Sequence, residues 1–143
     1  MAHIALNDAA RVILKDLKNL IANEPEIQEE KPGMGYVYGG VARTKINGLK
    51  SELKIEGYTI VECNIFHFLR GANIRNPTSR LLLIPINGTA TLSKAGPLLQ
   101  EEAYLIENMK ENEDKGKIGD NRVPLFGNSL DIVIAVLKAD VEK

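Results

Sequence analysis

The side chains best suited to acid–base or metal chemistry are Cys63 and His67, which lie four residues apart in the run YTIVECNIFHFL. The alternation of this run predicts a strand, on which four residues span roughly 13 Å, too far for both side chains to hold one metal ion. We therefore predict no metal site and no cofactor, and a buried free thiol at Cys63. His67 stays as a candidate general acid or base.

A second group of residues could hold an anion. The segment RGANIRNPTSR, residues 70–80, carries three arginines among amide and hydroxyl side chains, a donor set that suits phosphate or carboxylate. Two more polar residues precede a predicted helix start, whose free amides also attract anions. The candidate ligand-binding residues are Arg70, Arg75, Arg80, Ser93 and Lys94. The alternative is a solvated or oligomer-facing connection without a ligand.

The distribution of charge along the sequence points to the same region as a candidate anion site. Residues 33–96 hold eight Lys and Arg against three Asp and Glu, a local charge of +5, whereas residues 1–32 and 97–143 carry −2 and −4. A basic centre can attract an anionic small molecule or an acidic protein surface. The net charge of −1 and the lack of an RNA-binding motif disfavour a nucleic-acid partner without excluding one.

The glycine-rich stretch GMGYVYGGVARTKING, residues 33–48, does not match a nucleotide-binding loop. Its spacing is one residue out of register with G-x-G-x-x-G, and the chain contains no G-K-[ST]. Asn47-Gly48 is the dipeptide favoured in a type I′ turn. The stretch therefore predicts a glycine-bent strand that enters a hairpin, with Arg43 and Lys45 on its outer face.

The remaining elements are predicted from hydrophobic periodicity and turn residues. Residues 7–24 show apolar positions three and four apart, which predicts a helix capped by Asn7 or Asp8. The run from residue 80 predicts a strand that Pro85 places at an edge or a bulge, followed by a turn at Asn87-Gly88 and a short strand. Residues 97–113 predict a second helix, residues 115–129 a long loop, and residues 130–142 a buried strand, with a helix as the alternative.

The order of these elements predicts an α+β fold, a mainly antiparallel sheet of about five or six strands with two helices packed on one face, in a single domain spanning residues 1–143. One cysteine indicates a reducing compartment. The start of the chain does not resemble a secretion signal, and no apolar run is long enough for a membrane helix. We therefore expect a cytoplasmic protein with no membrane partner.

No motif identifies a reaction. The sequence favours a soluble intracellular binding or assembly module with an anion-attracting basic surface, and it favours a non-enzyme over an enzyme. One alternative is a small enzyme that acts on an anionic substrate with His67 as acid or base. The other is a ligand-free structural subunit that forms a homo-oligomer through exposed strand edges.

Overall fold

The fold is described for residues 2–23, 26–75, 80–92, 96–107 and 122–140 of a computed structural model. Within these ranges the chain forms two helices and nine strands, so the predicted α+β class is confirmed with more strands than the five or six expected. The elements follow in the order β1 (Ala2–Ile4), α1 (Asp8–Asn23), β2 (Ile27–Lys31), β3 (Gly35–Tyr38), α2 (Gly40–Glu52), β4 (Tyr58–Phe68), β5 (Gly71–Arg75), β6 (Arg80–Leu92), β7 (Gly96–Leu98), β8 (Ala103–Glu107) and β9 (Arg122–Ala139). Neither helix is long and apolar enough to cross a lipid bilayer.

Helix α1 forms where the apolar periodicity predicted it. Asn7 caps the helix, since its Oδ1 accepts a hydrogen bond of 2.7 Å from the Ala10 amide. The predicted apolar stripe faces the sheet, with Ala10, Leu14 and Leu17 buried. The helix stripe and its cap therefore both follow from local sequence.

The predicted hairpin at Asn47-Gly48 is wrong, because residues 40–52 form helix α2. Ala42, Ile46 and Leu49 recur at helical spacing and are buried in the same core as α1, while the Asn-Gly pair lies on the exposed face. A glycine inside a helix costs about 1 kcal/mol, which the burial of three apolar side chains exceeds. Tertiary packing thus overrides the turn preference of the dipeptide.

The start of α2 also explains the glycine-rich stretch. Strand β3 runs directly into Gly39 and Gly40, so the stretch is a strand followed by a helix, not a strand entering a hairpin. Gly40 has a φ of 58°, and a side chain on it would strike the Glu26 carboxylate. This carboxylate therefore lies against the first turn of α2, where a phosphate would sit in a nucleotide-binding loop.

The sheet is antiparallel throughout the described residues, with the strand order β1-β8-β6-β9-β4-β3-β2. Strands β5 and β7 lie off this path and pair with β9 and β6. The long strand β9 is central: β6 follows one of its edges, and β4 and then β5 follow the other. Residues 130–139 of the predicted closing strand therefore do form a strand, as their β-branched run predicted.

Three long stretches of the sheet bend near their middle: strand β6, strand β9 and the continuous path from β4 into β5. In β6 the register shifts between Pro85 and Asn87, which confirms the predicted bulge but not the predicted edge or turn, since β6 lies between β8 and β9. Gly88 has a φ of 79° and its Cα lies so close to the Ser129 carbonyl that no side chain fits. Ser129 itself has a φ of 47°, so β9 bends at the same level.

The bend divides the molecule into three layers. One core lies between both helices and the sheet, so two helices lie on one face, although the second is α2 and not the predicted helix over residues 97–113. The other core joins residues from before and after the bend, so the distal part of the sheet folds over the face that carries no helix. The distal layer contains β5, β7, the second half of β6 and the first half of β9.

The predicted helix over residues 97–113 is wrong for its described part, which forms β7 and β8. Residues 103–106 are buried on both faces, Ala103 and Leu105 against the helices and Tyr104 and Ile106 in the second core. A strand covered on both sides has an unbroken apolar run and lacks alternation. Residues 122–129, predicted as loop, belong to β9.

Candidate functional site

The structure does not assemble the predicted arginine site. Arg70 lies in the bend between β4 and β5, beyond Phe68 at one end of β4. The Arg80 guanidinium lies 5.9 Å from the ring centre of Tyr58, at the other end of that strand. Eleven residues of β4 correspond to about 33 Å of strand. Arg70 and Arg80 therefore cannot hold one small anion together.

The other predicted anion ligands do not form the predicted site either. Arg75 ends β5, five residues from Arg70. Residues 71–75 are a strand and not the predicted loop, while residues 76–79 lie outside the described ranges. Ser93 and Lys94 also lie outside them, and the helix start that they were predicted to flank is strand β7. The second anion site therefore lacks its helix.

His67 belongs to a polar row that crosses four strands. Its Nδ1 lies 2.9 Å from Oδ1 of Asp131, its cross-strand partner on β9. Its ring stacks on Tyr36 of β3 at a centroid distance of 4.8 Å. On the other side Asn87 of β6 donates from Nδ2 to Oδ2 of Asp131 over 3.2 Å. One ring nitrogen of His67 is thus engaged, and the side chain is only 16% exposed.

Asp131 is the buried carboxylate around which this row forms. It is 5% exposed, and Tyr38 donates a third hydrogen bond to it over 2.6 Å. Burial, and then the hydrogen bond to Asp131, raise the pKa of the Tyr38 hydroxyl far above its ordinary value. Tyr38 therefore remains a neutral donor. Three donors from three strands satisfy a carboxylate that would otherwise be costly to bury.

Acid–base chemistry at His67 also requires a cleft for a substrate. Neither His67 nor Asp131 lines any of the three most prominent pockets on the described residues. Within the same ranges no three His, Cys, Asp or Glu side chains lie close enough to share a metal ion. The row thus ties β3, β4, β6 and β9 together, and its observed contacts are those of a structural network.

Cys63 is the buried free thiol that the sequence predicted. It is 3% exposed and packs in the core beneath the helices. Burial raises the pKa of the thiol to about 11, and the cations Arg43 and Lys50 offset only part of this effect. The thiol is therefore protonated and inert at neutral pH.

A large concave surface of the described residues lies on the face opposite the helices. This groove has a volume of about 650 Å³. The floor of the groove contains residues at every second position of β4, so one face of that strand forms the floor. We call this face the inner face of β4. These residues are Glu62, Asn64, Phe66 and Phe68. The two phenylalanine rings stack with their centroids 5.5 Å apart.

One wall of the groove is the edge of β5. Here three consecutive residues, Ala72, Asn73 and Ile74, line the groove. Successive side chains of a strand point to opposite faces, so a surface that touches three in a row runs along the strand edge. The groove therefore lies between the inner face of β4 and the open edge of the distal layer.

The backbone groups at this edge follow from the pairing with β9. The Gly127 amide donates to the Arg70 carbonyl, and the ladder continues in register from Gly71. Hydrogen-bonded and non-hydrogen-bonded pairs alternate in an antiparallel ladder. The residues whose amides and carbonyls point away from β9 are therefore Gly71, Asn73 and Arg75.

Pro124 agrees with this assignment. It lies directly opposite Asn73 on β9, and a proline has no amide hydrogen to donate. At a non-hydrogen-bonded pair nothing is lost by its presence. Among the described residues β5 pairs with β9 alone, so its outer edge is open toward the groove.

Arg43 does not lie on the outer face of a hairpin, as the sequence predicted. It projects from α2, and its Nη1 donates to the Cys63 carbonyl over 3.0 Å and to the side-chain oxygen of Asn64. Strand β3 pairs with β4 only from Phe66 onward, so Arg43 caps the part of β4 that β3 leaves uncovered. It thereby becomes part of the polar rim of the groove.

Comparison with protein-family models, with curated proteins and with solved structures gives no match to this chain.

Proposed function

We propose that this protein is a binding module that holds a ligand with an apolar body in the groove between β4 and β5. The observation that carries the proposal is the groove itself, which has a volume of about 650 Å³ and a floor that is apolar at Phe66 and Phe68 and polar at Glu62 and Asn64. Ligand sites in proteins have this construction and volumes of roughly 300 to 1,000 Å³. The candidate binding site therefore moves from the arginines of residues 70–80 to this groove.

Incomplete burial of the floor supports the proposal. Phe66, Ala72 and Val136 are only partly buried, although they pack against the second core. Covering apolar surface contributes about 25 cal/mol per Å². A ligand that lies on these side chains therefore gains binding free energy from surface that the chain leaves in contact with water.

The polar side chains at the rim orient a ligand more than they attract it by charge. Arg43 lies beside Glu29 and Glu62 around the groove, so cation and carboxylates occur together. The hydrogen bonds from Arg43 to Cys63 and Asn64 hold the guanidinium in place. An anionic ligand remains a prediction of the charge distribution, and the groove adds no argument for it.

The test is titration with the fluorophore 1-anilinonaphthalene-8-sulfonate, which joins an apolar aromatic body to a sulfonate. We expect Phe66→Ser to weaken its binding about tenfold, since the floor loses its aromatic surface. Phe126→Ser is the matched control, because Phe126 is 59% exposed and lies outside the groove. Equal weakening by both substitutions, or by neither, would contradict the proposal.

A further inference from the structure

The two layers that enclose the groove differ in width. The layer that carries the helices continues from β9 through β4 to β3 and β2. The distal layer ends at β5, which follows the same edge of β9 as β4 does. Among the described residues, no element covers the inner face of the wider layer beside β5. One further strand on β5 would cover it, because neighbouring strands lie about 4.8 Å apart and stacked sheets about 10 Å.

We propose that the groove binds an extended segment of a partner protein, which pairs with β5 as an added strand. This proposal rests on the binding function assigned to the groove above. The backbone groups of Gly71, Asn73 and Arg75 point away from β9 and supply the hydrogen bonds of the new ladder. Every second side chain of the segment points down to the floor and contacts Phe66 and its neighbours.

The occupant is an isolated segment and not the edge strand of another two-layered sheet. The floor extends past β5 into β3 and β2, so a folded domain that approached β5 with a second layer on the floor side would collide with these two strands. The same collision excludes a symmetric dimer in which β5 pairs with β5 of a second copy. A single extended chain fits above the floor without this conflict.

The length and pattern of the segment follow from the floor. The lining residues of β4 run from Glu62 to Phe68, which is about 20 Å of strand. About six residues of an extended chain cover this distance. The segment therefore carries apolar residues at the alternate positions that lie over Phe66 and Phe68, with polar residues between them on the solvent side.

The first experiment uses a synthetic peptide of about nine residues in which valine and threonine alternate between terminal lysines, a pattern that suits strand addition. Two analogues carry N-methyl groups on the valine amides or on the threonine amides. In a strand these two sets of amides point to opposite edges. We expect the unmodified peptide to bind and only one analogue to lose affinity, by about tenfold or more.

The direction of pairing decides which analogue loses affinity. Ala72 and Ile74 face the second core, so the Asn73 side chain points away from the floor. In an antiparallel ladder the partner of Asn73 points the same way and is therefore a threonine whose amide faces β5. Loss for the threonine analogue supports antiparallel addition, and loss for the valine analogue alone supports parallel addition. Equal binding of both analogues would overturn strand addition.

A matched pair of variants tests the protein side. Asn73→Pro removes the amide that points toward the added strand and leaves the ladder with β9 intact, since the Asn73 amide does not bond to β9. Asn73→Thr keeps that amide. We expect a loss of peptide affinity for the proline variant alone, with unchanged circular dichroism for both. Unchanged peptide affinity in a folded Asn73→Pro variant would overturn the proposal.

The two proposals can fail separately. If Phe66→Ser abolishes binding of both fluorophore and peptide while neither N-methyl analogue differs from the parent, the groove is a ligand site and strand addition is wrong. If Phe66→Ser changes neither, the groove is not the site and both proposals fall. Self-association of the free protein that Asn73→Pro abolishes would also overturn the assignment to a partner protein.

Discussion

The Nδ1 of His67 lies 2.9 Å from Oδ1 of Asp131, and the two residues are cross-strand partners at the level where the sheet begins to bend. Asp131 is buried, and Tyr38 and Asn87 donate to the same carboxylate. The Asp131 side chain thus connects the central strand β9 to β3, β4 and β6. Replacing Asp131 tests how much this row contributes to the stability of the fold.

Asp131→Asn is expected to lower the free energy of unfolding by about 2 to 4 kcal/mol, because an amide cannot accept all three hydrogen bonds and leaves buried donors unsatisfied. Urea denaturation measures the change. The control is Asp16→Asn, whose surface ion pair with Lys45 spans 3.4 Å and is partly exposed. That pair is worth about 0 to 1 kcal/mol. Equal losses for both variants would contradict the role of the row.

Gly48→Ala distinguishes helix α2 from the hairpin that the Asn-Gly dipeptide suggests. In α2 a β-carbon at residue 48 meets only Ile13 Cδ1, at 3.8 Å, so alanine fits and stabilises the helix by about 0.5 to 1 kcal/mol. In a type I′ turn the same residue requires a positive φ, and alanine would destabilise the protein by roughly 1 kcal/mol. Thermal unfolding gives the sign. A lowered melting temperature would contradict the helix.

Cys63 makes stability depend on pH in the alkaline range. Its pKa rises from 9.0 to about 11 on folding, so the unfolded chain releases the thiol proton at a lower pH than the native chain does. The stabilisation is complete below pH 9 and is lost between about pH 9 and 11, to a limit of about 3 kcal/mol. Urea denaturation at several pH values measures this loss, and in Cys63→Ala this contribution should disappear.

The same burial predicts that Ellman's reagent does not react with native Cys63 at pH 8 and reacts after denaturation, since only an accessible thiolate is nucleophilic. Rapid reaction of the native protein would contradict the packing of Cys63 beneath the helices.

The long periodic segments could be predicted from the sequence. The apolar stripe of α1, the Asn7 cap, the strand character of β4 and the closing strand in β9 each depend on local pattern. The burial of Cys63 followed from its place in an alternating run. The signal for Asp131 was also present, as a single carboxylate inside the apolar run LDIVIAVL, where a charge requires several hydrogen-bond donors.

The sequence alone determined the α+β class, helix α1 and the main strands, because these depend on hydrophobic periods that are read within a few turns of chain. Only the tertiary structure decided that residues 40–52 form a helix, since their burial against α1 and the sheet outweighs the turn preference of Asn47-Gly48. It alone decided that Arg70 and Arg80 lie apart and that β4 and β5 enclose a groove. The separation of the two arginines and the groove both depend on how the sheet folds back at the bend. No local pattern encodes contacts between residues so distant in sequence.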